Sequence, residues 1–140
     1  MAKWRNTTRI HTFLYRVTRG LVGHRFGPFQ MLLLTTTGRK SGLERTLPLA
    51  YLDDGEDYVV LASNGGQEHP PLWWKNLEAR PQATVQVGSE RFLADAREAR
   101  GADRDRLWPR ILSENAMWAS YARTTRREIP VVILHRTAPR

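Results

Sequence analysis

Apolar residues recur first at helical spacing and then in short β-like runs. Ile10, Phe13, Leu14, Val17 and Leu21 fall three or four positions apart, so residues 8–22 are expected to form an amphipathic helix. Arg9, Arg16 and Arg19 lie off that stripe, and Gly20 and Gly23 fray its end. The helix is expected to cap the domain's own core. Its arginine-rich polar face leaves open a place on an anionic membrane surface. Strands are expected over residues 31–36, 45–52 and 57–62, the last two joined by the tight turn Asp53-Asp54-Gly55-Glu56. The acids around that turn lack the twelve-residue spacing of a calcium loop, so it reads as a solvated hairpin tip. Pro70 and Pro71 introduce a short helix over 72–79, because proline is tolerated in a first turn. Residues 83–87 and 91–97 form a further hairpin around Gly88-Ser89. A helical region is expected from 102 to about 124, interrupted near Pro109, and a last β-branched strand over 129–134.

Six short strands joined mostly by hairpins predict a small antiparallel barrel with flanking helices, an α+β architecture. Strands and helices do not alternate, which excludes a parallel α/β sheet. At 140 residues the chain is one domain, able to bury about two-thirds of its unfolded surface. Residues 1–27 are expected to be the helix and its connector, and 28–140 the barrel.

The composition of 41% hydrophobic and 26% charged residues fits a folded soluble protein. No cysteine is present, which removes disulfides, thiol nucleophiles and sulfur-bound zinc together. His11, His24, His69 and His135 have no metal-ligand spacing, so no metal is expected. The net charge is +8, from 22 Lys/Arg against 14 Asp/Glu, concentrated in residues 3–25 and 123–127. Such a field attracts nucleic acid, an anionic membrane or a multiply charged cofactor. No apolar run approaches a membrane span, and the basic start lacks the apolar region of a signal peptide. A cytoplasmic location is expected, with contact at the inner face of the plasma membrane if the first helix serves as an anchor.

Within this frame, Thr35-Thr36-Thr37-Gly38-Arg39-Lys40-Ser41-Gly42, followed by Arg45, places cations and a hydroxyl between two glycines in a turn between strands. That combination suits a phosphate or carboxylate, although the same residues also make ordinary solvated turns. Lys40 precedes the second glycine and a strand follows, so this is not a Walker loop. No Gly-x-Gly-x-x-Gly occurs. Two further segments gain meaning beside it. Ser63-Asn64-Gly65-Gly66 offers backbone N–H groups and small side chains. Trp73 and Asn76 share a helix face. Together they could hold a flat heteroaromatic ring with an anionic tail.

With these motifs in this order, and with Pro71-Leu72-Trp73-Trp74-Lys75-Asn76-Leu77, Pro81 and Ile129-Pro130-Val131-Val132, the chain resembles the deazaflavin (coenzyme F420)-dependent nitroreductases and quinone reductases. The resemblance runs from about Phe29 to Leu134. It implies a split β-barrel of the FMN-binding type. It implies that Arg39, Lys40 and Arg45 hold the cofactor's phosphate and polyglutamate tail, and that Ser41 and Gly42 shape that loop. Ser63, Asn64, Gly65 and Gly66 would line the ring, with Trp73 and Asn76 closing over it. The implied activity is hydride transfer from reduced F420 to a quinone, nitro compound or activated alkene. Tyr121, then Ser63, is the implied proton donor or substrate hydrogen bond. Well-studied nitroreductase members carry a tyrosine where this chain has Ala50, and further tyrosines in the late helices. Here those positions are Asn115, Trp118 and Tyr121, which implies a remodelled substrate pocket. Alternatives are an FMN or haem protein of the same fold, a lipid carrier, or a basic nucleic-acid module. Nucleic acid is not expected, because the aromatics lie in apolar segments. An oligomer is compatible with the sequence.

Overall fold

The computed structural model describes residues 25–26 and 29–139, with side chains over 30–138. The helix expected over 8–22, on which the cap and membrane readings rest, lies outside the described residues. Within them the chain forms β1 (Arg25–Phe26), β2 (Phe29–Thr37), β3 (Glu44–Ala50), β4 (Leu52–Asp54) and β5 (Asp57–Leu61). A 3-10 turn at Asn64–Gly66 and helix α1 (Leu72–Ala79) follow. Then come β6 (Gln82–Val87), β7 (Glu90–Glu98), α2 (Ala102–Glu114), α3 (Ala116–Thr124) and β8 (Val131–Pro139).

All strand pairs are antiparallel, and the order β2-β6-β7-β8-β5-β4 wraps most of a barrel. Closure depends on the single strand expected over 45–52. It breaks at Tyr51 into β3, which pairs with β2, and β4, which pairs with β5. The Tyr51 N–H holds the bend by donating to the Gln30 carbonyl at 3.2 Å. Among the described strands β3 therefore pairs with β2 alone. This is why Pro48, which has no N–H to give, is accommodated in mid-strand. The result is the expected split barrel.

Burial follows the pleat. Leu32, Leu34, Val60, Val85, Phe92, Val132 and Leu134 fill the interior, where α1 adds Trp73, Trp74 and Leu77. On β5 and β8 the alternate residues Val59, Leu61, Val131 and Ile133 are equally buried on the outer face, under Leu107 and Ile111 of α2 and Trp118 of α3. A strand pair covered on both faces reads as continuous apolar runs, which is why both strands are conspicuous in the sequence. The helical region does not break near Pro109. Pro109 sits inside α2 on its exposed side, where a missing N–H leaves only a solvent-facing carbonyl unbonded. The break comes at Asn115, whose backbone is extended and whose side chain caps α3. The last strand begins at Val131, two residues later than expected, and runs on to Pro139.

The acidic hairpin tip is more than a solvated turn. Arg106 of α2 grips Asp54 with two bonds of 2.7 and 3.0 Å, and Arg110 reaches Asp54 at 3.4 Å and the Asp53 carbonyl at 2.8 Å. The Arg106 hydrogen bonds hold the Asp54 carboxyl below the usual range against the opposing effect of burial, and the charges of Arg106, Arg110 and Arg97 add to this. Because the folded pKa is depressed, the contribution to stability is present above the unfolded pKa of about 4 and lost as pH falls through the folded value. Asp54→Asn is expected to lower stability by about 1 kcal/mol at pH 7. The gap from wild type should close below about pH 4. Thermal melts at both pH values check this; a gap that persists in acid assigns the loss to packing.

Candidate functional site: two joined clefts in the barrel split

The first cleft is built from the loop after β2. Gly38 N–H donates to the Leu43 carbonyl and Gly42 N–H to the Gly38 carbonyl, both at 2.8 Å, so the loop folds back on its own neck. Gly42 is needed for its left-handed backbone, and at Gly38 a side chain would displace the Ser41 hydroxyl that shapes the loop. A Cβ on Gly38 would stand 2.6 Å from Ser41 Oγ, and Gly42 has φ +73°. Ser41 Oγ accepts the Leu43 N–H at 3.1 Å, so its part is to shape the loop. The loop is fastened from outside by Asn76. This side chain is buried on α1; its Oδ1 accepts the Arg39 N–H and its Nδ2 donates to Thr36 Oγ1, each at 3.1 Å. A lone buried amide has four hydrogen-bonding positions to satisfy, and here they staple α1 to the end of β2.

Arg39, Lys40, Ser41 and Arg45 line a cleft of about 580 Å³ together with Asn64, Trp73, Asn76 and apolar residues such as Leu47 and Leu72. Arg39, Lys40 and Arg45 are exposed and make no ion pair with any described residue. The arginines at 97, 104, 106, 110 and 136 are paired with acids, and other cations such as Arg80, Arg91 and Arg126 have no such partner among the described residues; what sets Arg39, Lys40 and Arg45 apart is that all three line one cleft. Uncompensated cations around a concave surface favour an anionic ligand.

The second cleft, about 280 Å³, lies in the split itself. One wall is β3, with Leu47, Pro48, Leu49 and Ala50. The opposite wall is the end of β5 and its loop, with Leu61, Ser63, Asn64 and Gly65. Met117, Trp118 and Tyr121 of α3 close it. Leu47, Asn64, Pro71 and Trp73 line both clefts, so the two are continuous. The basic end and the apolar end thus form one elongated site.

Most residues picked out in the sequence meet here, and three do not line either cleft. Gly42 acts only within its turn. Gly66 packs on α3: a Cβ there would stand 2.9 Å from Thr124 Oγ1 and 3.5 Å from the Tyr121 Cα. Asn115 lines neither cleft. It is buried, and its Oδ1 accepts the Trp118 N–H at 2.9 Å, which fixes the start of α3. Sequence reasoning missed Met31, Leu47, Leu49, Pro71 and Met117, whose apolar character is indistinguishable from core until the split is known. It also missed Arg127, which it counted only among the positive charges of residues 123–127.

Against known proteins, the family model described as F420H(2)-dependent quinone reductase matches residues 7–136. The chain is 42% identical over 132 residues to the F420H(2)-dependent quinone reductase of Mycobacterium tuberculosis (strain ATCC 25618 / H37Rv), covering 91% of this chain and 89% of the relative. Among solved structures, the F420-H2 dependent reductase FDR-A matches with a TM-score of 0.69 at 36% identity, over 75% of this chain and 93% of that one. A chain described as a domain-swapped dimer matches with a TM-score of 0.72 at 32% identity, over 96% of this chain and 98% of that one. A match across nearly the whole chain, with the unpaired cations and the apolar cleft side by side in the split, places this chain in the F420H(2)-dependent quinone reductase family.

Proposed function

We propose that this chain binds reduced coenzyme F420 along the joined clefts and uses it to reduce a flat quinone. The observation that carries the proposal is the set of unpaired cations, Arg39, Lys40 and Arg45, at one end of a site whose other end is apolar. In this reading the three cations hold the phosphate and polyglutamate tail. Ser63, Asn64, Gly65 and Trp73 hold the ring, while Ala50, Met117, Trp118 and Tyr121 receive the acceptor. When bound, the reduced cofactor supplies a hydride from C5 of its ring.

The protein's share is positioning, exclusion of water and stabilisation of charge. The β3 wall and Trp118 keep water from the acceptor. As the acceptor takes electrons, its carbonyl oxygen gains negative charge. The Tyr121 O–H donates a hydrogen bond or its proton to that oxygen, and Ser63 Oγ is the second candidate. No side chain acts as a nucleophile. Nitro compounds and activated alkenes present a similar electron-poor acceptor and form the wider substrate set. The small Ala50 and the indole of Trp118 favour broad, flat quinones over nitroimidazoles.

Fluorescence titration with F420 and FMN tests the cofactor assignment directly. F420 should bind with a Kd of about 1 μM or below, a binding free energy of roughly −8 kcal/mol. FMN should bind much more weakly, and equal affinity would overturn the assignment.

Lys40→Ala should weaken F420 binding about ten- to a hundredfold, as expected for loss of a charge-assisted bond. The fold should stay intact, because Lys40 is exposed. Unchanged affinity in a normally melting variant removes Lys40 from the site.

Tyr121→Phe should lower kcat about tenfold with little change in KM for menadione, because its hydroxyl is asked to act on charge that develops only in the transition state. Steady-state assays following oxidation of reduced F420 decide this, and an unaltered kcat rules out the proton-donor role.

A further inference from the structure

Arg127 lies three residues beyond α3 and has no ion pair among the described residues. Its guanidinium is spent on the backbone of one loop. Nε donates to the Gln67 carbonyl at 2.9 Å. Nη2 donates to the Ala62 and Ser63 carbonyls at 2.9 Å each and more distantly to His69 at 3.5 Å. Burial against these carbonyls pulls its pKa down, with no acidic partner to offset the effect. A guanidinium keeps its charge regardless.

The loop it grips needs support. Asn64, Gly65 and Gly66 have φ of +49°, +64° and +82°, three successive left-handed residues of which one is not glycine. Within the loop, Gly66 N–H donates to the Ser63 carbonyl, Gln67 N–H to the Asn64 carbonyl, and Asn64 Nδ2 to the His69 carbonyl. All are local. Two kinds of bond among the described residues reach across the chain to the segment leaving α3: the Ala62 N–H donates to the Pro130 carbonyl at 3.0 Å at the neck of the loop, and Arg127 supplies the side-chain bonds that hold the loop itself. At the other end of the same contact, Gly66 packs against Tyr121 and Thr124.

We infer that Arg127 is a positioning residue: it fixes the separation between the Ser63–Gln67 wall of the second cleft and the α3 wall carrying Met117, Trp118 and Tyr121. The inference rests on the reading of that cleft as the place where cofactor ring and acceptor meet. Arginine suits the task because it spreads its donors over separate nitrogens. The Gln67 carbonyl is met by Nε and the Ala62 and Ser63 carbonyls by Nη2. A lysine ammonium is a single point and cannot serve both groups. The loop after β2, held by Asn76, is braced separately, so the cation cluster keeps its place when the 63–67 loop loosens, while Asn64, which lines both clefts, moves with that loop.

Hydrogen exchange on the full chain, followed by kinetics, tests the inference. In the wild type, amides of 63–67 and 117–124 should open together as one unit. In Arg127→Lys both segments should exchange about tenfold faster or more, while the amides of β6, β7 and β8 keep their rates. The same variant should raise KM for menadione about fivefold or more and weaken F420 binding by a smaller factor, because the loop also carries residues assigned to the cofactor ring while the cation cluster keeps its place. Independent opening of the two segments in the wild type overturns the proposal without any variant. So does unchanged exchange in Arg127→Lys, or acceleration spread evenly over the barrel, which would make Arg127 a general stabiliser. Normal KM beside faster exchange separates the brace from any part in the reaction. If wild-type protein bound no F420 and reduced no quinone, the functional reading would fail while the exchange data still decided the brace.

Discussion

The site exists because, among the described strands, β3 pairs with β2 alone. A closed six-strand barrel needs every strand to have two neighbours, but this one segment must serve β2 before Tyr51 and β5 after it. The bend satisfies both in turn and leaves the outer edge of β3 without a partner among the described strands. An unpaired edge in an apolar setting is costly and prone to pairing with other chains. Here the space beside it is lined by the end of β5 and by α3, and the opening becomes the second cleft. Pro48 fits the same constraint, since it adds no N–H that would need a partner on that edge.

The charge of the chain gains meaning once its arginines are sorted by what they touch. A surplus of +8 fits a polyanion of any kind. The arginines on α2 and β8 are paired with acids across the fold, and Arg127 is held by carbonyls. Among the described residues, Arg39, Lys40 and Arg45 gather without an ion pair around one cleft, on and beside one short loop. A compact cluster of three suits a ligand with several negative groups along a tail. It suits an extended nucleic acid less well, since that affinity rests on many phosphate contacts spread over a surface.

Legibility in the sequence followed burial. The strands of the barrel were readable because β5 and β8 are covered on both faces and leave continuous apolar runs. The basic loop was readable because glycine, hydroxyl and cation types are informative in combination. The bend at Tyr51 was not, because its cause is the demand of two distant strands rather than a local breaker. Pro109 misled for the opposite reason: a strong local breaker is harmless where its missing bond faces water. Asn115 enters the pocket reading only through the family resemblance, and Arg127 only as one of the positive charges of residues 123–127. Their partners, the Trp118 N–H and the carbonyls of residues 62–69, are backbone groups, and a backbone partner leaves no mark in the side-chain pattern.

Asn76 and Arg127 do the same work by different means, and the difference bears on how such a site can vary. Asn76 is neutral and buried and fastens the cation-bearing loop to α1. Arg127 is charged and half-buried and fastens the left-handed loop to the chain leaving α3. The two braces share no residue and act on opposite ends of one elongated site. Changes in α3 or β3, such as the alanine at position 50 or the indole at 118, can therefore reshape the acceptor end while the cation-bearing loop keeps its geometry. A scaffold with separately held ends can retain one cofactor while its substrates change, because the free energy of tail binding does not depend on the walls that receive the acceptor.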